Sequence, residues 1–469
     1  MDLPPWTSTV LLLGLRLLNP EMGGVLVNRK GPTLTPCAVI RRYYQGSSKL
    51  NELGPMSRMR RILTHSWFLV ACLLGVVAPL SAQEPPNVEE VVLADPEDHL
   101  LGDLGRGKLE EEGVRIEVFA MHDFWANVSG GFSRGGGVMG NMNLIVSLDT
   151  AKMGWWEDGA FVFWGIGVYG RRPSQVVGDF QYTSSIDAPD SVEFYEGYYE
   201  HSFMDGSVDV LAGVHDFTLE FAVLDYAYTL VNSSFLTPPT ITQYPLSFYP
   251  TTGLGTRASV KFTDKVYGLF GAYDGEPANF NNYRERTWSL SKREGIYSIA
   301  EIGWTEDDKT KSHTKVALGA WYNSGTFTDS IGQDHTGNYG TYLLAEHQLW
   351  QEIEGKEQGL GVFLQVSQAR NDRNTCPWYG GAGFSYTGLI PGRDEDVAAI
   401  GRADAFFSSN FKEYYDTDDA SERVWEINYR MRVLPSITIT PDVQYVINPY
   451  ANPDTSDALI LYLRTEVAL

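Results

Sequence analysis

From Val114 to Leu469 apolar and polar residues alternate in short runs, and the chain divides into sixteen segments of roughly 10 to 14 residues, the length of a tilted membrane-crossing strand. The segments run near 114 to 128, 138 to 149, 159 to 169, 191 to 203, 207 to 216, 253 to 263, 265 to 274 and 295 to 306. Eight more follow, near 313 to 324, 339 to 351, 359 to 370, 378 to 388, 396 to 407, 422 to 434, 437 to 448 and 459 to 469. Between them, long polar connections (170 to 190, 217 to 252, 275 to 294, 325 to 338, 408 to 421, 449 to 458) take alternate places with short turns such as Met204 to Gly206 and Pro435 with Ser436. Hairpins threading a membrane behave in this way, because odd and even connections emerge on opposite sides.

The last strands separate their faces most cleanly. Trp425, Ile427, Tyr429, Met431 and Val433 alternate with Glu422, Glu426, Asn428, Arg430 and Arg432; Leu459, Leu461 and Leu463 alternate with Tyr462, Arg464 and Glu466. A soluble sandwich would have no use for charges on its buried face, so the polar side points to a wet interior. The pattern predicts an all-β fold, a 16-stranded antiparallel transmembrane β-barrel. Barrels of this size leave an aqueous channel where those of about eight strands are filled by side chains.

Composition refines the picture at the N-terminus. No run of 18 apolar residues occurs, so no spanning helix is predicted. Residues 1–82 read as an upstream extension followed by a signal peptide at about 56–82: Arg58, Arg60 and Arg61 precede the apolar run from Trp67, and Ser81-Ala82 offers a cleavage site. Leu69-Val70-Ala71-Cys72 suggests lipid attachment as a lesser alternative. Residues 83–113 form an acidic periplasmic segment with a short helical pattern, and residues 114–469 the barrel. Removal of the leader leaves 27 basic against 56 acidic residues, a net charge of −29, which argues against nucleic acid as a partner. Cys376 is then the single cysteine, so no intramolecular disulfide can form. Neither a cofactor nor a metal is expected.

Several stretches resemble the carbohydrate-selective porin (OprB-like) family of bacterial outer membranes. They are LLGDLGRGKLEEEGVRIEV, ANVSGGFSRG, EFYEGYYEHSF, LAGVHDFTLEFAVLDYAYTLVNSSF, KVALGAWYNSGTF, GLGVFLQVSQARNDRN, SYTGLIPGRDEDVAAIG and EINYRMRVLPSITITPDVQYVINP, in that order over nearly all of residues 83–469. The resemblance implies passive diffusion of glucose and related sugars, export through the periplasm, contact with outer-membrane lipid and lipopolysaccharide, insertion by the barrel assembly machinery, and a monomeric or homotrimeric state. Three departures stand out: Leu469 replaces a terminal aromatic residue, Gly213-Val214-His215-Asp216 lacks the family's Gly-Lys step, and Gln365 stands where a basic residue is expected.

A sugar presents a ring of hydroxyls around weakly apolar faces, so a selective pore needs fixed donors and acceptors beside an aromatic platform. The inward set predicted to line such a pore is Glu196, Tyr198, Glu200, Arg257, Lys261, Trp321, Glu346, Gln365, Glu426, Arg430, Arg432, Gln444 and Arg464, with Trp321 or Tyr198 as the stacking surface. Opposite charges on neighbouring strands can instead neutralise one another as scaffold, and that reading competes for every member of the set. The 36-residue connection 217 to 252, with Pro238, Pro239, Pro245 and Pro250, is long enough to fold inward and narrow the channel. The alternatives weighed are a general or ion-selective porin of the same architecture, an outer-membrane hydrolase, for which no GxSxG motif is present, and a non-conducting adhesin.

Overall fold

The computed structural model describes residues 99–469 apart from 280–281, 287–293, 307–311, 330–331, 353–357 and 419–420. The expected leader and the stretch up to residue 98 lie outside the described residues. Sixteen strands form: β1 (Val114–Ser129), β2 (Gly135–Asp149), β3 (Gly159–Gly170), β4 (Ser191–Phe203), β5 (Val208–His215), β6 (Gly253–Thr263), β7 (Val266–Asp274) and β8 (Ile296–Glu306). They continue as β9 (Thr314–Thr328), β10 (Asp334–Gln351), β11 (Gly359–Ala369), β12 (Trp378–Thr387), β13 (Val397–Phe406), β14 (Ser421–Leu434), β15 (Ile437–Ile447) and β16 (Ala458–Ala468).

Each strand pairs antiparallel with its neighbours, and β16 pairs back onto β1, so the sheet closes with no free edge. Closure is what lets strands sit in hydrocarbon, since every backbone polar group of the wall finds its partner in the next strand. Among the described residues no helix is long and apolar enough to cross a membrane.

The predicted segments lie within a few residues of these strands, with the main differences at the tops of three of them. β2 begins at Gly135, β9 continues to Thr328 and β10 begins at Asp334, all inside predicted connections. Beyond the lipid a strand needs no apolar face, so the hydrogen-bonded ladder runs on through glycine and polar residues without the alternation that marks it in sequence. A small hairpin, Ala278–Asn279 with Asn282–Arg286, also sits in the predicted connection 275 to 294.

The two faces follow the alternation. On β9, Val316, Leu318 and Tyr322 are exposed on the outside, while Lys315, Ala317, Trp321 and Asn323 are buried within. On β14, Ile427 is 54% exposed and Glu426 only 1%. The short helix α1 (Arg106–Glu111) fills the predicted helical stretch and lies at the end carrying the chain terminus, where Leu100 N donates to Ala468 O and Leu469 N to Val118 O.

Two of the long connections turn into the barrel rather than away from it. The β3–β4 connection carries α2 (Ser174–Val177); the β5–β6 connection carries α3 (Ser233–Leu236) and α4 (Pro239–Thr242). Phe217, Phe221, Leu230, Val231 and Phe235 of the second are fully buried. Their side chains join Tyr297, Trp321, Tyr342 and Phe363 of the wall in one apolar cluster. The two connections also bond to each other, Ser185 N to Val231 O at 2.8 Å and Ser233 N to Tyr182 O at 3.0 Å.

Candidate functional site

A connection folded into a barrel brings backbone N–H groups that no strand can satisfy, and each would be costly if left bare. Carboxylates on the inner wall meet that need. Glu301 of β8 accepts from Ala222 N at 3.0 Å, Glu346 of β10 from Tyr226 N at 3.0 Å, and Glu426 of β14 from Val231 N and from Asn232 N, the latter at 3.0 Å. Gln365 of β11 donates to Phe235 O at 2.7 Å, and Lys315 of β9 to Val223 O at 3.0 Å. The chain leaving β5 therefore reaches strands from β8 to β14, across the interior.

The β3–β4 connection is held in the same manner. Glu422 accepts from Phe180 N at 2.7 Å and Gln181 N at 2.9 Å. Register places Asp123 of β1 opposite Arg464 of β16, and the pair closes at 2.7 Å with the Ser184 hydroxyl donating to Asp123 at 2.6 Å. Gln444 of β15 ties both connections, donating to Thr183 O and accepting from Asn232 Nδ2.

The predicted pore-lining residues thus divide. Glu196, Glu346, Gln365, Glu426, Gln444 and Arg464 all face inward, but they are buried and hold the connections in place. Glu196, for instance, accepts from Asp216 N at 2.8 Å. Trp321 is 4% exposed and lies beneath the β5–β6 connection, with Tyr297 between it and Phe217 at ring distances of 5.9 and 5.0 Å. Gly340 makes room for it, since a Cβ there would come within 2.6 Å of the indole. As a floor for the connection, Trp321 offers no open face to a solute.

What remains half-exposed toward the lumen sits at the ends of strands nearer the chain terminus. On one side Glu200 of β4, its side chain 31% exposed, pairs at 2.9 Å with the buried Arg257 of β6, which also meets Glu220 of the connection at 2.5 Å; Tyr198 and Lys261 lie in the same two strands. On the other, Arg430 of β14 pairs with Glu466 of β16 at 2.7 Å, and Tyr228 of the connection is 42% exposed. Arg432 is exposed at the turn end, 3.2 Å from Glu395. These pairs present guanidinium donors and carboxylate acceptors side by side, with little uncompensated charge.

Burial opposes ionisation of Glu220, but the hydrogen bond with His215 and the Arg257 guanidinium outweigh it and hold its carboxyl at about 2. The connection is therefore pinned by a carboxylate that stays charged at any ordinary pH. Sequence reading missed Glu220, Glu301 and Asp123 as members of the network. Glu301 stands alone in the apolar run IYSIAEIGW, and a lone acid at an inward position of a mid-barrel strand is the signal that finds it.

The family model for the carbohydrate-selective porins, OprB family, matches residues 133–469. A curated relative, Porin B of Pseudomonas aeruginosa, is 21% identical over 417 residues, covering 78% of this chain and 90% of that protein. Two solved forms of Pseudomonas putida OprB share the fold. The high-pH form superposes with a TM-score of 0.72 at 17% identity over 84% of this chain, the low-pH form with 0.53 at 15% over 83%, and all of each solved chain is covered.

Proposed function

The chain belongs to the carbohydrate-selective porin family (OprB), and we propose that the solutes it passes are glucose and related small sugars, moving passively down their gradient. It is a channel of the bacterial outer membrane rather than an enzyme. The observation that carries the sugar reading is the fate of the lumen charges. Wall carboxylates are taken up by the N–H groups of the inward connections, and the half-exposed Glu200, Arg430 and Glu466 each face an opposite charge, Glu200 the buried Arg257 and Arg430 its partner Glu466. Such a surface offers hydroxyl groups both donors and acceptors while attracting neither cations nor anions strongly.

The overall charge of −29 expected once residues 1–82 are removed is then a property of loops and surface rather than of the passage. Tyr228 beside Arg430 is the aromatic best placed to meet a sugar face, a role the sequence had given to Trp321 or Tyr198. Arg430→Ala, measured by sugar uptake into liposomes and by reversal potential in a salt gradient, tests the reading. It should lower hexose flux and shift selectivity toward cations, because Glu466 loses its counter-charge. Unaltered hexose flux and unaltered ion preference together would favour a general diffusion porin.

A further inference from the structure

One cluster of the interior has more polar groups than the anchoring of the β5–β6 connection by Glu346 uses. Asp225 of the β5–β6 connection, His313 at the start of β9 and Glu346 of β10 bring one ligand atom each within 4.8 Å of one another. His313 Nε2 lies 3.2 Å from Glu346 Oε1 and 3.7 Å from Asp225 Oδ2. Zinc bonds of about 2.0 to 2.2 Å in tetrahedral array set neighbouring ligand atoms about 3.3 Å apart, so the spacing needs little adjustment to receive an ion.

From this geometry we infer that Asp225, His313 and Glu346 form a site for a divalent transition-metal ion of the zinc class, which clasps the β5–β6 connection to the wall. The donor set decides the metal class: an imidazole nitrogen with two carboxylates suits zinc and its neighbours, whereas magnesium and calcium favour oxygen alone. Glu346 is oriented for the task, because its Oε2 accepts the Tyr226 N–H at 3.0 Å and Oε1 is left turned toward His313. The Tyr226 ring lies edge-on to the His313 imidazole at 5.6 Å and fixes its plane. Such outer contacts hold metal ligands in register.

Access and charge agree with the assignment. The Asp225 side chain is 54% exposed, so an ion can arrive from the lumen and keep a water in its fourth position. Lys315, register partner of Glu346, donates to Val223 O and offsets one of the two carboxylates, leaving the cluster negative enough to draw a cation. The three ligands come from three separate elements, one of them the inward connection. Binding an ion there favours the docked connection over the released one by mass action.

The test is calorimetric titration of Zn2+ into the chelator-stripped, full-length barrel in detergent, compared with Mg2+. The expected result is one Zn2+ per chain, weakened by about tenfold or more in both His313→Ala and Asp225→Asn. Binding should be retained in His335→Ala, a histidine at the far end of β10 from Glu346, and absent for Mg2+. Heat-modifiable migration on gels confirms that each variant still forms the barrel, so lost binding cannot be confused with lost folding. A second reading is proteolysis of the β5–β6 connection, which Zn2+ should slow in the parent chain and leave unchanged in the two variants. Absence of saturable Zn2+ binding, undiminished binding in either His313→Ala or Asp225→Asn, or loss of binding in His335→Ala would overturn the site.

Discussion

At the residue scale, a wall carboxylate here acts as a receptor for the chain's own backbone. Glu426 illustrates it: 1% exposed, it accepts two adjacent N–H groups, and Glu426→Gln keeps the shape while replacing one acceptor with a donor. Hydrogen bonds to a charged group contribute about 1.5 to 3 kcal/mol each. The β5–β6 connection of that variant should accordingly become more open to protease and its single-channel current noisier, with the barrel intact by heat-modifiable migration. Glu220 adds a pH dependence. Its carboxyl sits at about 2 when docked against an ordinary value of 4.5, so its contribution, on the order of 3 kcal/mol, is complete above pH 4.5 and fades as pH falls toward 2. Current noise should therefore rise over that window in the parent chain, and Glu220→Gln, already lacking the charge, should show the smaller rise. An identical response in both would remove Glu220 from the account. Removing one partner of the buried Asp123–Arg464 pair leaves the other charge uncompensated and should cost about 3 to 5 kcal/mol.

At the scale of the element, strands and connections were not equally legible. Alternation along segments such as Trp425 to Val433 reveals both the strand and its inward side, because lipid admits only apolar residues and water tolerates the rest. Which inward residues meet solute is another matter. Glu426, Gln444 and Arg464 look in sequence like pore-lining groups and face inward as expected, yet they touch the connections. Their partners, backbone atoms for Glu426 and serine hydroxyls with Asp123 for Arg464, lie far along the chain, and no local pattern announces that Val231 will come to lie beside residue 426. Trp321 misled in the same way: its face was correct, and Phe217 with Tyr297 covers it. The lipid face can be tested separately. Ile427→Arg places a charge in hydrocarbon and should destabilise the barrel by about 2 to 4 kcal/mol in refolding titrations, the cost of such a charge near the membrane midplane. Replacing Phe221–Tyr244 by a short glycine-serine link should leave the closed wall assembled while raising conductance and levelling the difference between sugars.

At the scale of the whole molecule, a strongly acidic chain builds a nearly charge-balanced passage by assigning its inner carboxylates to internal work. The closed sheet supplies the bore, and two connections bonded to the wall and to each other divide it. The proposed selection for uncharged polyhydroxyl solutes rests on that division, with Arg257–Glu200 and Arg430–Glu466 each paired across an intervening strand. Liposome swelling with the purified barrel, over hexoses, disaccharides and singly charged solutes of hexose size, measures this most directly. The account predicts that hexoses enter faster than charged solutes of either sign at equal size, with disaccharides slower than hexoses. Equal rates across the panel, or preferential entry of cations, would contradict it.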